Sequence, residues 1–350
     1  MAVRVSCPHC HTVCQVPEEH LASAVRCGQC GKPFQLKTPT SQPAAAEAEE
    51  EMMPDWDGLA AAQLLEPGAA KAAAETTLTD PWFVPPVADL SRLDIGAATS
   101  AGCVRIRNED CYLIQRLSWS HLDERRDMAL VAVADGLGGH LAGDRASHLV
   151  IRTLASALTP LFNGALSGLA ANTAAARAEA LAAALKEANG AVYRQARADA
   201  SCRGMAATAA AVLICDGAVQ IGHIGDCRVY HYHGGELEQI TRDQTLVARM
   251  VEMGQLNAEE AATHPARNEV TNALGGHSEI QPAAYEVRLN AGDWLIVACD
   301  GLHAHVDATM LREAIHLAVP SAAALAHRLV DMADAGGGSD NTTVVAVRAY

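Results

Sequence analysis

From about Ser91 to Tyr350 the chain alternates short apolar runs with Ala/Leu-rich stretches. Residues 95–100, 111–115 and 128–134 predict early strands. The run at 128–134 is apolar at every position, so it reads as a strand buried on both faces. Two helical stretches follow at 144–158 and 170–197. In the second, Leu181, Leu185, Ala188 and Val192 recur at helical spacing, a stripe that faces a core. Runs at 207–215, 219–223 and 227–233 predict a strand meander, 243–253 a helix, and 255–276 an irregular stretch. The C-terminal part predicts strands at 283–289 and 293–299, helices at 307–318 and 321–335, and a last strand at 342–348. Short turns between neighbouring strands imply antiparallel pairing, with the helices covering the outer faces.

Before residue 91 the pattern changes twice. Residues 1–37 hold Cys7-Pro8-His9-Cys10 and Cys27-Gly28-Gln29-Cys30, a C-x2-C-x16-C-x2-C spacing that predicts a four-thiolate zinc site. So small a segment has almost no core, and the metal would supply most of its folding free energy, roughly 10–16 kcal/mol for such sites. A redox CxxC pair would need a βαβ context that is absent here. The segment CPHCHTVCQVPEEHLASAVRCGQCGKPF also resembles the zinc-ribbon modules at the N-termini of many bacterial proteins. Residues 38–90, with the acidic run AEAEEEMMPDWD and the prolines of DPWFVPP, predict an extended, disordered linker. The expected organisation is therefore a zinc ribbon at 1–37, a linker at 38–90 and one large domain at 91–350.

Composition narrows the possible partners. A formal net charge of −15 argues against general nucleic-acid affinity and against adhesion to anionic membranes. In the ribbon, Arg4, Arg26, Lys32 and Lys37 stand against Glu18 and Glu19. A zinc held by four thiolates adds about −2, which leaves no basic footprint. No stretch approaches 18 continuous apolar residues, and MAVRVSCPHC lacks the apolar segment of a signal peptide. Seven of the eleven cysteines lie outside the ribbon set. They are scattered, several within apolar runs, which fits reduced thiols in a cytoplasmic protein. Aromatics make up only 4% of the chain, so the core must be built of Ala, Val, Leu and Ile.

The candidate chemistry sits where apolar runs end. The run through Ala134 meets Asp135-Gly136, and 295–299 meets Asp300-Gly301. Asp340-Asn341 follows a glycine run just before a strand, and Arg105 lies just ahead of Glu109-Asp110. A lone Asp-Gly is a turn signal. Four acidic elements at strand ends, far apart in sequence, are what a binuclear site for hard divalent cations needs, and in the two Asp-Gly pairs glycine leaves a carbonyl open beside the carboxylate.

Taken in order, GCVRIRNED, ADGLGGHLAGDRAS, IGDCRVY, RNEVTNALGG, LIVACDGL and GGGSDNTTVV resemble the metal-dependent serine/threonine protein phosphatases of the type-2C (PPM) family, bacterial type. The resemblance covers residues 95–350. It implies an α+β, four-layer α-β-β-α sandwich, two antiparallel sheets flanked by helices, here preceded by the zinc ribbon. It also implies hydrolysis of phosphoserine and phosphothreonine on proteins, reversing a cognate serine/threonine kinase. The attacking group would be a hydroxide bridging two Mn²⁺ or Mg²⁺ ions, with no phosphoenzyme. Carried over by position, Asp135 would bridge the ions and the Gly136 carbonyl would bind one of them. Asp300 and Asp340 would ligate one ion; Glu109 would serve the other through water, with Asp110 orienting the shell. Arg105 would grip the phosphate, and Asn341 would support the Asp340 loop. His140 is the candidate general acid, a turn-stabilising role being its alternative.

The residue chemistry agrees with this. An all-oxygen ligand set selects Mg²⁺ or Mn²⁺ over Zn²⁺, and an arginine fork matches phosphate oxygens. No Cys-x5-Arg phosphatase loop is present. Three positions depart from the family pattern. Ser100-Ala101-Gly102 replaces Asp-x-Gly before the phosphate arginine, and Leu137 stands where eukaryotic members carry His. Arg203 takes the place of an Asp for a third, weaker metal, with Asp199 the nearest acid. The competing reading is a catalytically weak, phosphatase-like sensor or scaffold that docks partners through the ribbon.

Overall fold

The computed structural model describes residues 93–121, 124–137, 142–166, 173–317 and 321–350, together with four short strands nearer the N-terminus. Chain contacts divide the molecule into two units, Met1–Thr79 and Asp80–Tyr350. In the first, β1 (Ala2–Ser6) pairs antiparallel with β2 (Val13–Pro17), and β3 (Ala24–Arg26) with β4 (Pro33–Gln35). Cys7, Cys10, Cys27 and Cys30 lie outside the described residues, as does the whole of the expected linker.

The second unit begins with β5 (Leu93–Ser100), β6 (Cys111–His121), β7 (Glu124–Leu137), α1 (Gly143–Leu166) and α2 (Ala174–Ala198). A 3-10 turn at Ala200–Cys202 leads to β8 (Ala206–Cys215), β9 (Ala218–Ile224), β10 (Arg228–His233) and β11 (Glu236–Gln239). Two short helices follow, α3 (Leu246–Glu252) and α4 (Ala258–Thr263). The chain closes with β12 (Ala283–Arg288), β13 (Trp294–Ala298), α5 (Asp300–His303), α6 (Ala308–His316), α7 (Ala322–Ala335) and β14 (Thr342–Ala349). The strands form two five-stranded antiparallel sheets, ordered β11-β10-β13-β14-β5 and β12-β9-β8-β7-β6.

Alternation along the central strands explains the layering. On β7, Met128, Leu130, Ala132 and Ala134 pack with α1 and α2, while Ala129, Val131 and Val133 face the other sheet. On β13, Leu295 and Val297 enter the same inter-sheet core, while Trp294, Ile296 and Ala298 meet α6 and α7. Both strands are thus buried on both faces, which is why they read as unbroken apolar runs. The small side chains expected from the low aromatic content fill this space, with Ala, Val, Leu and Ile dominating all three clusters.

Several elements differ from expectation. β7 does not stop at Asp135 but continues to Leu137, so Asp135 pairs with Thr208 inside the ladder. α1 runs through Pro160 to Leu166, because Phe162 is buried and holds the last turns on the core. By length and composition α1 is apolar enough to cross a membrane, yet its Val150, Leu154 and Leu158 belong to the core of this unit. The stretch expected to be irregular contains α4, begun by a reciprocal capping box between Asn257 and Glu260.

Candidate active site

Two loops build one wall of the site. Asn341 accepts the Glu109 N–H at 2.8 Å through Oδ1, and its Nδ2 donates to Ala101 O (3.0 Å) and Arg107 O (2.8 Å). Cys103 N–H donates to Gly338 O at 2.7 Å. These bonds dock the 101–110 loop onto the turn before β14, so Asn341 positions the arginine loop as much as Asp340. Arg105 projects from this loop, half exposed, with Nη2 2.6 Å from Asp340 Oδ2. That contact, followed by Asp340's charge, raises the guanidinium pKa further above its ordinary value.

The floor is made by both sheets. Asp135 comes from β7 in one sheet, and Asp300 opens α5 directly after β13 of the other. Burial pushes the Asp135 carboxyl well above the usual range, and Asp110, Asp300 and Asp226 push it further. Asp300 is raised by burial and then by Asp340. Asp110 rises to about 7, burial again leading; its Oδ2 accepts a weak bond from the Cys299 thiol at 3.1 Å. Its Oδ1 is buried with no hydrogen-bond partner. Glu109 is raised by burial and then by Asp144.

Close backbone approach makes glycine necessary at two of these positions. A Cβ on Gly136 would collide with the Gly143 carbonyl, and one on Gly301 with the Asn341 carbonyl. A Cβ built on Gly143 would lie 2.6 Å from both Gly136 O and Glu109 Oε2, so these two oxygens converge on one small space.

Asp135, Gly136, Glu109, Asp110, Asp300, Asp340 and Arg105 therefore come together from four separate stretches of sequence. His140 lies outside the described residues. The donors are all oxygen, several carboxylates are crowded against their own repulsion, and one buried oxygen has no partner. This set fits two hard divalent cations and, with its raised carboxyl pKa values, is poorly suited to standing alone.

The surroundings add residues beyond the expected ligand set. In the sequence Asp226 and Asp243 read as structural acids that pair with turn amides or Arg228. Arg228 does fork onto Asp243, with contacts of 2.6 to 3.1 Å, which leaves Asp226 buried without it. Burial and then Asp300 raise Asp226 to about 7. Its signal was present, since Gly225-Asp226 follows the apolar strand β9 just as Asp135 and Asp300 each follow an apolar run of the sequence. His303, which the sequence marks as a surface or loop residue rather than a ligand, lies in α5, with its Nε2 3.3 Å from Asp226 O and its pKa lowered to about 4 by burial. Asp199 caps the 3-10 turn through Ser201 and lies 3.4 Å from Arg145, while Arg203 is exposed. A cleft of about 780 Å³ extends from Asp300 and Asp340 past His303 and Arg228 to Val251 and Arg267 beside α3 and α4.

The protein phosphatase 2C family profile matches residues 107–333, which contain Glu109, Asp110, Asp135, Gly136 and Asp300, with Arg105 just before the match and Asp340 just after it. The chain belongs to the protein phosphatase 2C family. It is 38% identical over 253 residues to the serine/threonine protein phosphatase PstP of Mycobacterium tuberculosis. That match covers 72% of this chain and 44% of PstP, so the chain spans less than half of that relative. Protein phosphatase PhpP of Streptococcus pneumoniae is 32% identical over 255 residues, 73% of this chain and 97% of PhpP. The crystal structure of M. tuberculosis PstP/Ppp superposes with a TM-score of 0.61 at 36% identity, covering 73% of this chain and 98% of that one. A further structure, the PstP catalytic domain in complex with two manganese ions, gives 0.59 at 34% identity, covering 73% and 97%. As a family member, this chain has the two antiparallel sheets flanked by helices of those phosphatase domains.

Proposed function

We propose that this protein hydrolyses phosphoserine and phosphothreonine on other proteins, with two Mn²⁺ or Mg²⁺ ions at the joint of its two sheets. The observation that carries this reading is the convergence of Asp135, Asp300, Asp110, Glu109 and the Gly136 carbonyl beside Arg105. Family membership adds to it, since PstP and PhpP are named as protein phosphatases. Asp135, Asp300, Asp340 and the Gly136 carbonyl would hold the ions, with Glu109 and Asp110 beside them. When bound, the ions supply an activated water and positive charge for the attacked phosphorus. Arg105 would release Asp340 and bind two phosphate oxygens, a charge-assisted fork that orients the ester for in-line displacement. His140 would protonate the leaving serine or threonine oxygen.

The test is hydrolysis of a phosphothreonine peptide by chelator-stripped protein, with Mn²⁺ titrated back, beside Asp300→Asn. Metal-dependent turnover in the wild type and a loss of about a hundredfold or more in the variant are expected. Silence in both, with folding intact, would overturn the phosphatase and favour the scaffold.

The same reading extends to the N-terminal unit. Cys7 and Cys10 fall in sequence between the paired strands β1 and β2, and Cys27 and Cys30 between β3 and β4. That placement, with the CxxC spacing, supports a structural zinc ribbon. A cognate serine/threonine kinase as the opposing enzyme and a cytoplasmic location complete the proposal. The free thiols Cys103, Cys111, Cys202, Cys215, Cys227 and Cys299 are consistent with that compartment.

A further inference from the structure

Among the described residues, one group outside the carboxylate centre has the composition of a metal site: His231, His233 and Asp293. β10 carries the two histidines two residues apart and so on one face. Val229 shares that face and points into the inter-sheet core. Asp293 sits in the turn before β13 and is 3% exposed. Its Oδ2 lies 3.1 Å from His231 Nε2, and its Oδ1 2.7 Å from His233 Nδ1. One ligand atom from each residue lies within 4.8 Å of the other two.

The carboxylate is held independently of the histidines. Asn290 N–H donates to Oδ2 at 2.8 Å, and the Asp293 backbone bonds to Asn290 O and to Ala349 N–H. Oδ2 therefore has a partner already, and neither its burial nor its position requires His231. Two imidazole nitrogens and one carboxylate oxygen form a three-ligand set of the kind that holds zinc, with a fourth position left open. A bound ion would leave the Asn290 bond intact as the outer support that fixes a ligating carboxylate. His233 is 61% exposed, so its ring can turn to shorten the triangle.

This cluster is separate from the phosphatase centre. Asp293 precedes β13 and Asp300 follows it, and seven residues of extended chain span about 23 Å. We propose that His231, His233 and Asp293 bind a divalent transition ion of the zinc class, with water in the fourth position, which ties the β10–β11 hairpin to the turn before β13.

The experiment uses the full chain, stripped with chelator and dialysed against free Zn²⁺, beside His233→Ala and His231→Gln. Bound zinc per chain and the shift in Tm on adding zinc are measured, and Co²⁺ substitution reports the ligands. Ions held by cysteines or by the Asp135 centre are common to all three proteins and cancel in the comparison. The expected result is one more zinc per wild-type chain than per variant, with a rise in Tm that both variants lose. The Co²⁺ difference spectrum should show a tetrahedral band without sulfur charge transfer. Mn²⁺-dependent hydrolysis should be unchanged in His233→Ala. Equal zinc content in the wild type and both variants, or a Co²⁺ difference spectrum dominated by sulfur, would overturn the site.

Discussion

Arg105 and Asp135 carry opposite burdens at the residue scale. Arg105 is exposed and held by one carboxylate, so Arg105→Ala should leave Tm nearly unchanged while lowering kcat/KM on a phosphopeptide about a hundredfold. Steady-state kinetics beside a thermal melt check both halves. Asp135 is the opposite case, crowded by Asp110, Asp300 and Asp226. Asp135→Asn removes one charge from that crowd, so the chelated variant should melt at least as high as chelated wild type while binding Mn²⁺ far more weakly. Calorimetry on the two stripped proteins measures this. Gly136 fails for a different reason: a methyl group there meets the Gly143 carbonyl. Gly136→Ala should cost about 1–3 kcal/mol in urea unfolding, the range for overpacking.

Legibility varied most among the elements. Strands β7, β8, β13 and β14 were readable because burial on both faces leaves apolar runs that no surface residue interrupts. β11 was not, since Glu236–Gln239 is an edge strand with a mostly exposed, charged sequence that carries no strand period of its own. α4 was hidden for a related reason: six residues with little apolar content, recognisable only by the Asn257–Glu260 box. At the site, acids that end apolar strands were visible in sequence. Which of them meet depends on how the sheets stack, and that is why Asp226 passed for a turn residue. The loop carrying Arg105 depends on Asn341 rather than on any strand. Asn341→Ala removes three bonds, each worth about 0.5–1.5 kcal/mol, and should raise KM for phosphopeptide more than it lowers Tm. Kinetics and melting of that single variant separate loop placement from general stability.

Over the whole molecule, pH acts through groups of opposite sign. His223 is fully buried, and burial lowers its pKa from 6.5 to about 4. The unfolded chain binds its proton near 6.5 and the folded chain only near 4, so stability falls as pH drops between these values. The loss is on the order of 3 kcal/mol. Urea midpoints across that range should be flatter in His223→Leu than in wild type. Asp110 and Asp226 are raised to about 7 and work the other way. Without metal they cost stability as pH rises towards 7, because the folded chain holds protons there that the unfolded chain has released. Asp135 stands on one sheet and Asp300 just past the end of a strand in the other, and the bond between their side chains needs a shared proton, so losing that proton with no ion bound acts to part the sandwich at that end. A cell short of manganese would then hold a chain that proteases enter from its own active site. The abundance of this protein, and not only its turnover number, should follow the metal supply.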